Sequence, residues 1–498
     1  MTSAGAEEPR AAVALRPLAG RAHDLLPDFE ALRGDAVPWL LDSALVDGRL
    51  GRFSFAGSDP YLVLRWRGAR SEIVRRRGVG DGRPEERLRE GGDPLALLRA
   101  LLPRVAPEAA PAGAPPFLAG AVGWLGYELA ARLEPVSLPG EDDLGLPDLC
   151  FAFVDRVLAL DHASGVRTAC GLGFGASDEE AAVNARRSAE ALAARIEAAA
   201  GGGVARCAAP GRATSPPPRV RARFDASSYG KLVSAVQERI AAGDLYQACL
   251  THRLEIAPAP DPWTLYRRLR AGSPAPFAAY LGLPEATLVG SSPERFLRVE
   301  PDGTVESRPI KGTRPRGASP QQDEALAREL AASPKDRAEN VMIVDLVRND
   351  LGRVCATGSV RVPELCAIER YATLHQLVST VTGRLAPGRD AFDAIAAAFP
   401  PGSMTGAPKI AAMRLLGRLE PLRRGPYAGA LGWLDVRGGA DLAVVIRTAV
   451  VRAGRVFLGV GGAVVADSTP AGEWSESLAK ARALLHACGA DAAELERP

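Results

Sequence analysis

The chain has 498 residues, a formal net charge of +2, 47% hydrophobic residues and 24% charged ones. That length buries a sizeable core and predicts roughly two to four domains. The balanced charge gives no reason to expect nucleic acid and no Lys/Arg run forms a phosphate-binding stripe, so no nucleic-acid partner is expected.

The first twenty residues carry two acidic groups and no apolar core of signal-peptide length. No apolar run of about 18 residues follows, so no membrane partner is expected. Seven cysteines are scattered without a CxxC pair, which fits free thiols and a cytoplasmic protein. From residue 16 to about 175 short strands alternate with helices; residues 52–57, 61–66 and 151–160 have strand composition. Residues 178 to about 200 are rich in Ala, Glu and Arg and predict a helix. The stretch 201–219 is dominated by Gly, Pro and Ser and reads as a linker. The expected division is an N-terminal domain over 16–200, a linker over 201–222 and a second domain over 223–492.

Tyr229, Leu232, Val233, Val236 and Ile240 follow helical spacing, with Asp225 or Ser227 as cap and Gly243 as stop. Strands are expected over 277–283 and 286–290, with a hairpin pairing 296–300 with 305–310. Residues 334–351 read as a helix stopped by Gly352. Residues 427–436, 442–451 and 456–460 read as a meander. A last helix spans 470–488, with Thr469 as cap, Pro470 at its first position and Gly489 past its end. These elements predict an α+β fold: a two-layered antiparallel β-sheet core flanked by helices. The string GLGFGA at 171–176 lacks the spacing of a dinucleotide-binding loop.

Of the 61 basic Lys/Arg residues only five are lysines: Lys231, Lys311, Lys335, Lys409 and Lys480. In an arginine-rich chain the retained lysines are suspects for chemistry that arginine cannot do. Lys311 lies between two prolines and beside a glycine at an expected strand end, which suits a presented nucleophile and equally a surface lysine in a basic loop. Asp336 and Glu339, and Glu473 and Glu476, are i, i+3 pairs on two expected helices. Two facing pairs suit one hard cation such as Mg2+; the same spacing suits solvated helix faces. Arg447 interrupts an apolar run and needs an anionic partner, either a ligand carboxylate or a structural Asp/Glu. Small-residue loops at 401–409 and 459–463 offer backbone N–H groups to an anion, as common turns also do. His375 lies in an apolar segment, where a histidine is usually a satisfied core residue. Glu294 is either an acid/base group or the partner of Arg295.

Six blocks occur in order: SSPERF, PIKGTRPRG, AENVMIVDLVRNDLGR, PPGSMTGAPK, VVIRT and ADSTPAGEWSESLAKA, from 291 to 481. Together they resemble the chorismate-utilising enzymes, a family that includes component I of anthranilate synthase and the isochorismate and salicylate synthases. LLDSA at 40–44, GRFSFAG at 51–57 and GAVGWLGYELAARLE at 120–134 extend the resemblance towards the N-terminus, with Glu128 where the family more often has Asp. The resemblance implies the component I-like fold of that family. It also implies Mg2+ as cofactor, with Glu339 and Glu476 as direct ligands and Asp336 and Glu473 acting mainly through water. The ion would hold the ring carboxylate of chorismate. By the same resemblance Arg447 and Tyr427 bind the enolpyruvyl carboxylate side. Ser403, Gly461, Gly462 and Ala463 line the substrate, with Ala463 placing a methyl group where glycine is common. Glu294 and His375 assist departure of the ring hydroxyl.

Two positions bear on the branch. Gln247 stands where water-using members carry a lysine base, so ammonia is the expected nucleophile. Lys311 stands where anthranilate-forming members carry alanine. The implied chemistry is attack of the Lys311 amine at ring carbon 2, then entry of ammonia at carbon 4, on the route to 4-aminobenzoate and folate. Amination at carbon 2 is the nearest rival, separated by that one residue. A noncatalytic regulator is a rival of another class, disfavoured by the intact set Glu339, Glu476, Arg447 and Lys311. No glutaminase elbow and no His-x-Glu pair occurs, so a separate glutaminase subunit is the expected ammonia source and a separate lyase the expected downstream partner. The N-terminal block and residues 273–278 resemble the two walls of a tryptophan pocket, with Ser273 and Ala278 departing from the feedback-inhibited pattern.

Overall fold

The structure, a computed structural model, describes residues 10–46, 50–76, 85–111, 113–201, 218–371, 374–491 and 495. Most of the expected linker, 202–217, lies outside the described residues. Two antiparallel sheets form the centre, each of 12 strands among the described residues. Strands from before and after the linker enter both sheets. In the first sheet Trp39–Asp42 pairs with Phe277–Gly282, with Leu40 opposite Tyr280. In the second, Gly120–Leu125 pairs with Ala430–Asp435, with Trp124 opposite Leu431.

Side chains alternate across each strand, so one face of each sheet meets the other sheet and one meets helices. Trp39, Ala279 and Leu281 join Phe55, Phe117, Trp124 and Trp433 between the sheets, where the Phe117 and Trp433 rings stack at 5.2 Å. Leu40 and Tyr280 point the other way, into a core built with helices Ala226–Ala241, Pro262–Gly272 and Pro470–Cys488. Helices Pro334–Gly352 and Ala391–Ala398 cover the outer face of the second sheet through Ile343, Val347, Phe392 and Ile395. Burying residues such as Leu40 and Ile343, both fully enclosed, contributes about 1.5–3 kcal/mol each.

Several expected elements divide. Residues 151–160 form two strands, Leu149–Val154 in the second sheet and Arg156–Asp161 in the first. Residues 442–451 likewise divide into Ala440–Val444 and Thr448–Arg452, again in different sheets. Asp155-Arg156 and Arg447 interrupt the two apolar runs at the crossings, but a polar interruption alone does not say that the two halves join different sheets. Lys311 does not end a strand. Strand Thr304–Ser307 stops before it, and Lys311 is the second residue of Ile310–Pro315. The pairing with Leu374–Arg384 shifts between Ile310 and Thr313, which leaves Lys311 and Gly312 in an irregularity of the ladder. Gly312 has φ +82 there, and a side chain at that position would meet the Asp336 carboxylate at 2.8 Å. Residues 459–463 are not a strand end either, but lie inside strand Arg455–Val464. The described cysteines are all buried and unbridged. No helix among the described residues is long and apolar enough to cross a membrane.

Candidate active site

Two helices bring four carboxylates to one place. Ser333 caps helix Pro334–Gly352 by accepting from the Asp336 N–H, and Asp336 accepts from Arg314 Nη2 at 3.1 Å. Thr469 caps helix Pro470–Cys488 by accepting from the Gly472 N–H at 3.2 Å. Ser468 Oγ donates to Glu473 Oε1 at 2.6 Å, whereas buried Glu473 Oε2 has no partner. Asp336 and Glu473 lie in first turns, where the helix dipole favours negative charge. Gly462 explains how the second helix approaches its strand: a Cβ there would stand 2.3 Å from Glu473 Oε2 and 3.5 Å from Glu476 Oε1.

Burial pushes the Glu339 carboxyl above its usual range. Lys311 and Lys335 oppose that shift, while Glu476 and Asp336 reinforce it. Burial also raises Glu473, with Ser468 opposing and Glu476 adding to the shift. Burial opposes ionisation of Glu476 too, but Lys480, Lys335 and Lys311 together hold its carboxyl below the usual value. The carboxylates therefore share one field. Of the three lysines that counter it, two pair directly: Lys480 Nζ lies 2.8 Å from Glu476 and donates to Gly461 O at 2.9 Å, and Lys335 Nζ lies 3.9 Å from Glu339. As arranged, no three His, Cys, Asp or Glu side chains among the described residues enclose an ion. The donor set nevertheless suits a hard divalent cation: all ligands are carboxylates, and one buried oxygen lacks a partner.

Lys311 occupies the centre. Its charge acts on Glu339, Glu476, Glu294 and the Cys249 thiol. Lys311 itself makes no hydrogen bond or ion pair among the described residues. Glu294 sits where the chain leaves strand Thr287–Ser292 of the first sheet for Arg295–Val299 of the second. Burial pushes its carboxyl up to about 7, against the opposing pull of the Ser403 hydroxyl, Lys311, the Ile310 N–H and Arg447. It is not the partner of Arg295, whose guanidinium is taken by Asp441 at 3.0 Å and Glu306 at 2.6 Å.

Arg447 occupies the reverse crossing, from the second sheet to the first, with φ +48. Its carbonyl accepts from the Ser291 N–H at 3.0 Å. Burial lowers its basicity, with Glu294 opposing. Among the described residues it has no ion-pair partner, so the structural-pair alternative falls away. Gln247 is fully buried, and neither of its amide atoms has a partner; Ser403 Oγ is buried beside the Glu294 carboxyl without a well-formed hydrogen bond. Each orphaned group costs roughly 1–3 kcal/mol, a cost a polar ligand offsets.

Behind this wall Tyr427 packs flat on strand Arg455–Val464; a Cβ at Gly459 would lie 2.2 Å from Tyr427 Cγ. Arg424, which sequence reasoning missed, ties the wall together. It donates to Met404 O at 2.7 Å, Cys249 O at 2.8 Å and Glu420 at 2.7 Å, and its guanidinium lies 4.2 Å from the Tyr127 ring centroid. Glu128 accepts from the Arg424 and Gly425 N–H groups at 2.7 and 2.9 Å. Only the i, i+4 spacing of Glu420 and Arg424 hinted at that pair. His375 is placed differently from the other site residues: its Nε2 lies 2.9 Å from Asp323, which Arg316 holds from the other side. No hydrogen bond or ion pair joins His375 to Glu294 or Lys311 among the described residues.

A separate cavity of about 330 Å3 between the sheets is lined by Asp42, Ser43, Phe53, Pro276, Phe277 and Ala278 among others. It brings together the two stretches expected to wall a tryptophan pocket. Asp42 there is already held by Tyr266 at 2.8 Å and Arg270 at 2.6 Å.

A desolvated arginine and a lysine without ion pairs, four carboxylates and an acid pushed up to about 7 suit an anionic ligand and acid chemistry upon it. Comparison with known proteins gives the family. The family model for chorismate binding enzymes matches residues 74–486. An aminodeoxychorismate synthase of Streptomyces griseus is 44% identical over 93% of this chain, which spans only 62% of that protein. Anthranilate synthase component 1 of Mycolicibacterium smegmatis is 39% identical over 92% of this chain and 87% of its own length. In structure, anthranilate synthase component I of Streptococcus pneumoniae superposes with a TM-score of 0.71 at 29% identity, covering 87% of this chain and 92% of that one. The chain belongs to the family of chorismate binding enzymes.

Proposed function

We propose that the protein is component I of an aminodeoxychorismate synthase, joining ammonia to ring carbon 4 of chorismate to give 4-amino-4-deoxychorismate. The observation that carries this reading is Lys311: a lysine without a bond of its own, in the midst of Glu294, Glu339 and Glu476. Relatives named aminodeoxychorismate synthase, 44% and 45% identical, support it. The chain spans a little under two thirds of those two proteins, 62% and 63%.

In this mechanism Arg447 binds one substrate carboxylate. Glu339 and Glu476 would hold Mg2+, with Asp336 and Glu473 beside them, and the ion would supply positive charge for the ring carboxylate. The ion pairs of Lys335 with Glu339 and of Lys480 with Glu476 would give way to it. Glu294, protonated, gives its proton to the departing carbon-4 hydroxyl, which leaves as water. The neutral Lys311 amine forms a bond to carbon 2, and its surplus proton returns to Glu294. Ammonia then bonds to carbon 4 while the carbon 2–nitrogen bond breaks; Glu294 gives its proton to the departing nitrogen, so Lys311 leaves as the neutral amine, the product keeps the ammonium proton and Glu294 ends the turnover as the carboxylate. Two displacements replace one difficult one. Gln247 has no basic atom to activate water, which leaves ammonia, delivered by a separate glutaminase subunit, as the nucleophile. Anthranilate formation is the second reading, supported by the relatives of that name and opposed by Lys311.

Intact-mass measurement with chorismate and Mg2+ but no ammonia is expected to show a covalent adduct. The adduct maps to Lys311 by peptide analysis and is absent in Lys311→Ala. An adduct-free wild type that still turns over when ammonia is added would contradict the covalent route.

A further inference from the structure

Lys409 is a second retained lysine that the mechanism leaves without a task. Its Nζ donates to Asp350 Oδ2 and to Ala398 O, each at 2.7 Å. Both side chains are buried, 9% and 7% exposed. A buried ion pair adds little net stability, and the charge alone gives an arginine-rich chain no reason to keep lysine here.

Between this pair and Glu294 lies a small cavity of about 20 Å3, lined by Glu294, Ser403, Ser307, Asp350, Ile343 and Val347 among others. That volume admits about one water, provided polar groups hold it. The wall supplies them: the Glu294 carboxyl, the Asp350 carboxyl and the Ser403 hydroxyl, which lacks a well-formed hydrogen bond. The Ser307 hydroxyl is spent on Phe296 O at 2.7 Å. Arg295, also on the wall, is held by Asp441 and Glu306.

We propose that Asp350 and Lys409 are a proton store that recharges Glu294 through a single water in this cavity. The inference rests on the reading of Glu294 as the acid for the departing hydroxyl. The Lys409 ammonium passes a proton to Asp350, and Asp350 passes one to the water. The water passes one to the Glu294 carboxylate and is itself unchanged. Lys409 is left as the neutral amine and regains its proton from solvent. Arginine cannot play this part, because its guanidinium keeps its proton. Burial moves the pair towards each other: it pushes Asp350 up to about 6, with Lys409 opposing, and lowers Lys409, with Asp350 opposing. Glu294 stands at about 7. On its outer side Asp350 feels Arg353 and Glu134, which pair with each other at 2.7 Å. Lys311 and Arg447 face Glu294 from the substrate side.

Chorismate consumption tests the relay with the full chain, ammonium salt and Mg2+, whatever the product. Asp350→Asn keeps the shape and an acceptor for Lys409 but cannot carry the proton. It is expected to lower kcat about 10-fold or more with KM unchanged. Lys409→Arg is expected to lower kcat as well. In the wild type, kcat plotted against the deuterium fraction of the solvent is expected to curve, because more than one proton moves. Folded Asp350→Asn with wild-type kcat overturns the relay. If that variant does not fold, a straight-line plot in the wild type overturns it instead. A wild type that consumes no chorismate removes the acid role of Glu294 and the relay with it. Consumption with a straight-line plot removes the relay alone.

Discussion

Glu294→Gln is expected to lower kcat for chorismate consumption by about 100- to 10,000-fold, the range for a lost general acid. The substitution preserves volume and breaks no ion pair, so KM stays within a few-fold. The wild-type profile carries the signature. Burial holds the carboxyl up to about 7, so the proton it must donate is present below that pH and is lost as pH rises through it. The alkaline limb of kcat near neutrality belongs to Glu294 and disappears in the variant. The contribution of Glu294 to stability falls in the same direction as pH rises. The folded-state pKa lies above the unfolded one, so the native state binds the extra proton and is destabilised as pH climbs from about 4.5 towards about 7. Above that window Glu294→Gln melts higher than the wild type. Thermal melts at pH 5 and pH 8, run beside the pH–rate profile, check both signs.

Arg447→Gln is expected to raise KM for chorismate about 100-fold. A charge-assisted hydrogen bond contributes about 1.5–3 kcal/mol, and each 1.4 kcal/mol is tenfold in affinity. An arginine held by a structural partner would cost stability when removed. Arg447 has no such partner among the described residues, and its burial already lowers its basicity. The variant therefore keeps or slightly raises Tm while binding fails. Steady-state kinetics and a melting curve on one preparation separate the two effects, and a parallel loss of both would assign Arg447 to the scaffold.

The helices were the most legible part of this chain. Helix Pro470–Cys488 announces itself through Thr469, Pro470 and Gly489, whose φ is +79, because caps are local chemistry. Asp225, one of two candidates, is the cap of Ala226–Ala241. The two acidic pairs were legible because helical spacing alone puts their members on one side. What sequence did not reveal is long-range. The crossings at Asp155 and Arg447 lie inside apolar stretches and depend on which sheet each half joins. The freedom of Glu294 depends on Asp441, which reaches Arg295 through the pairing of Arg295–Val299 with Ala440–Val444. Arg424 gathers Met404, Cys249 and Tyr127 from distant parts of the chain. The contacts of Lys335 with Glu339 and Lys480 with Glu476 follow i, i+4 spacing and were readable in principle. The acidic pairs drew attention to a metal instead.

Product identity decides the central claim. Purified protein incubated with chorismate, Mg2+ and ammonium salt, with no lyase present, is to be followed by NMR and fluorescence. The account predicts 4-amino-4-deoxychorismate, with nitrogen on ring carbon 4 and no fluorescent product. Direct appearance of fluorescent anthranilate, with nitrogen on carbon 2, would contradict it.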